Sequence, residues 1–239
     1  MEHPAVDALA AELAQRGWVS DLWLHGSLAT GDHRPGVSDI DLVAITTRPL
    51  DASRLREVDR VHRRLDATWP GSALGCAYVD GSRLDDLRVE HPTWTHGRLV
   101  ERRLSSMVRA ELLDIGRPLL GRDPAALLAP MSRDDIKAAV REELTGYWSW
   151  AVRRPWLFLD SRHADLALVS MARARTTIAT GTLMTKTEAL AQVRAPARVV
   201  DGLRRRRTAG SRRTPIAPLL AHHAWHDTRR TIGEHGRPG

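Results

Sequence analysis

Apolar residues fall three or four apart in some stretches of this chain and in short unbroken runs in others. Val6, Leu9 and Leu13 form one stripe of a helix over residues 5–16, which Gly17 ends. The runs at 19–24 and 39–46 predict two strands. Asp51 then caps a helix reaching residue 67, with Leu55, Val58, Val61, His62 and Leu65 turned inward, and Trp69-Pro70-Gly71 breaks it. Residues 73–79 predict a third strand. The spacing of Leu99, Leu104, Val108 and Leu112 predicts a helix over 98–113. This order suits a small mixed α/β domain built on a short sheet.

Beyond it the pattern turns helical. Turn chemistry over 118–130 surrounds a short helix capped by Asp123 with Pro124 at its first position. Ser132-Arg133-Asp134-Asp135 starts a helix running through Ile136, Val140 and Leu144. Residues 163–180 form another, stopped by Gly181. Thr185-Lys186-Thr187-Glu188 is a capping box opening the next, and 215–230 is a last helix. No internal repeat is visible, and the two patterns meet near residues 122–132.

Composition narrows the class. A chain of 239 residues, 42% hydrophobic and 27% charged, describes a soluble globular protein of one large domain or two ordinary ones. No apolar run approaches the ~20 residues of a membrane span. Met1-Glu2-His3-Pro4 is polar and unlike a secretion signal, so a cytoplasmic protein is expected. Cys76 stands alone, which excludes an internal disulfide or a cysteine-cluster metal site. Much of the +7 net charge lies in Arg204-Arg205-Arg206-Arg207 and Arg212-Arg213. With no aromatics interleaved for stacking, the stretch reads as a solvated loop or helix end rather than a nucleic-acid surface. Lys137 and Lys186 are the only lysines, against 34 arginines.

The chemistry-bearing residues cluster early. Gly26-Ser27 follows the first strand, and an eleven-residue spacer leads to Asp39-Ile40-Asp41 at the head of the second. A Gly-Ser turn lets N–H groups and a small hydroxyl approach a phosphate, because glycine has no Cβ in the way. Aspartates at i and i+2 on a strand share a face, and two hard carboxylates there suit a Mg²⁺-bound triphosphate. At these residues the chain resembles the nucleotidyltransferase superfamily of the polymerase-beta type. The resemblance implies an α+β protein, with a nucleotidyltransferase domain on a small mixed sheet over 1–125 and an all-helical domain over 126–239.

Nearly end to end, the chain resembles the aminoglycoside 3''-adenylyltransferases, the streptomycin and spectinomycin resistance enzymes. Trp23-Leu24-His25-Gly26-Ser27 and Ser38-Asp39-Ile40-Asp41-Leu42 match their nucleotide-binding segment. Leu119-Leu120-Gly121 and Leu127-Leu128-Ala129-Pro130 match the segment joining their domains. Val169-Ser170-Met171-Ala172-Arg173 and Thr180-Gly181-Thr182-Leu183-Met184-Thr185-Lys186 match a helix-Gly-Lys motif. The resemblance implies Mg²⁺-dependent transfer of AMP from ATP to a hydroxyl of a small molecule, with release of pyrophosphate. Asp39 and Asp41 would hold the metal. Ser27 and Ser38 would bond phosphate oxygens, with Arg173 and Lys186 reaching them from the helical domain. Lys186, in the first turn of its helix, would gain from the N–H groups and macrodipole there. Trp225 stands where the family has an aromatic on the nucleotide, and also reads as a helix-packing residue beside Leu220.

One departure stands out. The family's general-base carboxylate falls on Gly75; Asp80 has the opposite strand parity, and Glu90 is expected in a loop. For the acceptor, Tyr147, Trp148, Trp150, Trp156, Asp160 and Asp165 offer aromatics and acids, of which Trp156, Asp160 and Asp165 are the candidates named for binding; each also reads as core or helix cap. His222 and His226 are a helical pair lacking a third metal ligand, beside His223. The expected partners are ATP and a small-molecule acceptor, with neither nucleic acid nor membrane, and a monomer is expected. Two other readings stay open: a nucleotide-binding regulatory protein with a degenerate site, prompted by Gly75, and an adenylyltransferase acting on protein or tRNA, prompted by Arg204–Arg213.

Overall fold

Side-chain alternation along the strands builds a sheet with an apolar layer on each face. The computed structural model describes residues 3–209 and 218–236, in two compact units, 1–130 and 131–239. Unit one opens with α1 (Pro4–Ala14) and β1 (Val19–His25), then a single helical turn α2 (Gly26–Ala29), β2 (Ile40–Thr46), α3 (Ala52–Thr68) and β3 (Leu74–Asp80). It continues with β4 (Glu90–Thr95), β5 (Arg98–Arg103), α4 (Ser106–Ile115) and β6 (Arg117–Leu120). The strand order is β5-β4-β3-β2-β1-β6, with β2 and β3 parallel and every other pair antiparallel. The parallel pair requires a crossover, which α3 supplies.

Leu42 and Ala44 of β2 turn to one face, packing with Leu22, Cys76, Tyr78 and the inner stripes of α1 and α3. Val43 and Ile45 turn to the other, with Trp23, Val79, Leu104 just ahead of α4, and Leu112 within it. Within the first layer His62 of α3 is fully buried, its Nε2 2.8 Å from the Tyr78 hydroxyl and its ring stacked on Trp94. Burial holds its pKa down at about 3, though Asp59 pulls the other way. The Cys76 thiol is buried as well, and desolvation pushes it up to about 12 despite a hydrogen bond with Tyr78.

The helix expected over 98–113 is two elements. Its first part is edge strand β5, paired with β4 through a His96-Gly97 turn in which both residues have positive φ, and only from Ser106 does a helix run. Glu90, expected in a loop, begins β4. It lies opposite Arg103 and therefore at the end of the sheet far from Gly75, which removes it as a base.

The end of this unit is clamped to β1. Asp21 is fully buried and accepts from the Arg122 backbone N–H at 2.7 Å and from its guanidinium at 2.9 Å. Burial works to raise this carboxyl, but the bonds from Arg122 and Ser20 outweigh it and hold the pKa below the usual range. Gly121, at φ +73, runs so close to Asp21 and the Ser20 carbonyl that a Cβ would collide with both.

The second unit is helical: α5 (Arg133–Glu143), α6 (Ser149–Val152), α7 (Ser161–Thr180), α8 (Lys186–Ala189), α9 (Ala197–Ala209) and α10 (Pro218–His235). Thr185 with Glu188 forms the expected capping box, and Ser132 with Asp135 forms another at the expected helix start. A π turn at Leu144–Trp148 follows α5. Inside the unit Arg175 of α7 pairs with Asp227 of α10 at 2.8 Å, both buried, so this arginine is a core residue. No helix among the described residues is long and apolar enough to cross a membrane.

Candidate active site

The site grows from the point where β1 ends. At Gly26 the chain turns with φ +67, and a Cβ there would lie 2.6 Å from Asp41 Oδ2. Only glycine fits this approach. Asp41 is the second residue of β2, directly across from His25 on β1 and from Gly75 on β3, and Asp39 is exposed just before the strand. Strand alternation sends Asp39 and Asp41 to the face carrying Val43 and Ile45, which is the face under α4.

Ser27 is 7% exposed, and its hydroxyl oxygen has no hydrogen-bond partner among the described residues. A buried hydroxyl left unpaired is costly, and a phosphate oxygen at this turn would satisfy it. Ser38 differs. Its Oγ accepts the Arg34 N–H at 3.1 Å, closing the turn before β2, and its hydroxyl proton is what remains for an anion.

Gly75 carries no acid, and its Cβ position meets only backbone oxygens at 3.6 Å. Asp80 lies five residues away, level with Thr46, and caps a 3₁₀ turn by accepting from the Ser82 N–H and hydroxyl. One further acid does meet the site. Glu111 of α4 places Oε2 3.1 Å from His25 Nδ1, and sequence reasoning missed it. Its single signal was an acid between the inward positions Val108 and Leu112.

The helical unit gathers its own candidates. Arg173 of α7 donates through Nε to the Met184 carbonyl at 2.8 Å, which brings it against the turn leading to Lys186. Lys186 is the first residue of α8, a single turn, so the helix dipole expected there is small and the ammonium charge is what remains. Trp225 donates its indole N–H to the Val152 carbonyl at 2.9 Å, with Arg229 stacked 5.5 Å over the ring. Asp165 holds Arg206 by two bonds of 2.7 Å, and burial raises its carboxyl in spite of that partner. Asp160 caps α7, accepting from Arg162 and His163. Trp156 is 60% exposed, Tyr147 and Trp150 are exposed and stacked 5.9 Å apart, and Trp148 is buried. His222 and His226 are exposed, and the described residues contain no cluster of three metal-ligating side chains. Arg206 and the buried Arg207 have internal places, which thins the basic stretch; Arg212 and Arg213 lie outside the described residues.

Comparison with known proteins bears on the fold. Residues 6–83 match the family model of the nucleotidyltransferase domain. The spectinomycin adenyltransferase AAD(9) of Enterococcus faecialis, solved with ATP and spectinomycin, aligns over 95% of this chain and 98% of that chain, with a TM-score of 0.74 at 12% identity. At that identity the likeness is one of fold. A toxin-antitoxin structure with AMP-PNP covers 64% of this chain and 93% of that chain at 16% identity, with a TM-score of 0.31, too slight to add to it. Among curated proteins none matches the chain.

Proposed function

We propose, on the premise that residues 6–83 form a nucleotidyltransferase domain, that the chain transfers AMP from ATP to a hydroxyl of an aminoglycoside-type small molecule, with Mg²⁺ as cofactor. The observation that carries it is the partnerless, buried Ser27 hydroxyl beside a glycine turn set directly against Asp41. Asp39 and Asp41 fit Mg²⁺, which is held by one or two carboxylates while phosphates and water complete its shell. When bound, the ion would neutralise charge developing on the triphosphate. Ser27 and Ser38 orient phosphate oxygens, and Arg173 and Lys186 add positive charge. The acceptor reading draws support from the fold shared with the spectinomycin enzyme and from the exposed aromatic pair Tyr147 and Trp150.

The test is pyrophosphate release from ATP and Mg²⁺ over a panel of aminoglycosides and spectinomycin, with Asp39→Asn as the blank. Release that needs one acceptor and falls at least 10²-fold in the blank is expected. Release unchanged in the blank would refute the reading. Gly75 favours one second reading, a nucleotide-binding regulator: ATP binding with no release from any acceptor, and release appearing only in Gly75→Glu, would select it.

A further inference from the structure

The proposed reaction needs a group to take the proton of the attacking hydroxyl, and β3 offers Gly75 where a carboxylate would serve. On its other side, Asp41 has His25 as its neighbour. Directly opposed strand residues send their side chains to the same face with Cβ atoms about 4.5–5.5 Å apart. That face lies under α4, from which Glu111 meets His25 Nδ1 at 3.1 Å. Both side chains are largely withdrawn from water, at 8% and 15% exposed. A carboxylate only accepts, so Nδ1 donates in this pair, and in the neutral ring Nε2 is then the acceptor.

We propose that His25, oriented by Glu111, accepts the proton of the attacking hydroxyl in place of the carboxylate that Gly75 lacks. The assignment rests on the adenylyl-transfer reading. In the step, the acceptor oxygen bonds to the α-phosphorus while the bond from that phosphorus to pyrophosphate breaks. The electron pair leaves on pyrophosphate, and the hydroxyl proton passes to His25 Nε2. Glu111 is a positioning residue: it fixes the tautomer and orientation of the ring. A merely structural pair would tie α4 to β1 and nothing more.

The experiment measures pyrophosphate release with the acceptor that the unmodified protein uses, ATP affinity by calorimetry, and the thermal midpoint of each variant. His25→Asn should lower kcat by about 10²–10⁴-fold with ATP affinity and KM for ATP unchanged. Glu111→Gln, the milder change should His25→Asn fail to fold, should lower kcat by about 10–100-fold. Adding Gly75→Glu to Glu111→Gln should recover at least tenfold of that loss, since the Cβ at Gly75 meets only ordinary contacts at 3.6 Å. The assignment is overturned if the Glu111 variant keeps its kcat, if kcat falls only in step with the thermal midpoint, or if Gly75→Glu restores nothing. An unmodified protein silent on every acceptor, or equally active as Asp39→Asn, defeats the transfer reading itself and the assignment with it.

Discussion

Gly26 and Gly75 both border Asp41, yet they should respond oppositely to a methyl group. At Gly26 the backbone is left-handed and a Cβ would press on Asp41 Oδ2 at 2.6 Å. Gly26→Ala should therefore displace the carboxylate and lower kcat about 10²-fold, at a stability cost of about 1–2 kcal/mol. Gly75→Ala meets contacts of 3.6 Å and should leave kcat within about threefold. Steady-state kinetics and urea midpoints on the two variants check the contrast. The difference also shows what a sequence makes legible. Gly26, Ser27, Asp39 and Asp41 are readable because one turn and one strand end bring them together. Glu111 reaches His25 from 86 positions away, and nothing local to a helix announces which distant strand its acid will meet.

The same limit governs the elements. Helices α3, α5 and α7 were legible from apolar stripes and capping residues, because both signals are local. Edge strand β5 was not. With arginines at 98, 102 and 103 and Glu101 between, it has the charged character that keeps sheet edges from pairing further, and Leu99 and Leu104 then fell in with the helix beyond. The His96-Gly97 turn was the overlooked sign of a hairpin. At the seam of α3 with the sheet, His62 makes stability depend on pH. An unfolded chain takes up this proton near pH 6.5, whereas the folded protein resists it until about pH 3. Between those values the unfolded state binds more protons, so stability falls as pH falls, by about 3 kcal/mol from 6.5 to 4. Asp59 on the same helix moderates this, and Tyr78 and Trp94 facing the ring carry no charge. Urea denaturation from pH 7 to 4 should show the slope, and His62→Gln should flatten it.

For the molecule as a whole, each unit has its own buried core. Residues 1–130 alone should fold, since both faces of the sheet are covered by helices and segments of that same unit. Lacking Arg173 and Lys186, they should release pyrophosphate at least 10²-fold more slowly than the full chain. Circular dichroism and the release assay together check this. Folding without a change in rate would remove the helical unit from phosphate binding. Cys76 has a practical consequence at this scale. Because the chain's only thiol is enclosed by the sheet and α3, a cysteine introduced on any exposed position can carry a fluorophore or spin label with the native residue left in place. Under native conditions the label marks one chosen site; Cys76 itself becomes reactive only when the sheet opens, and so reports unfolding from inside the first unit.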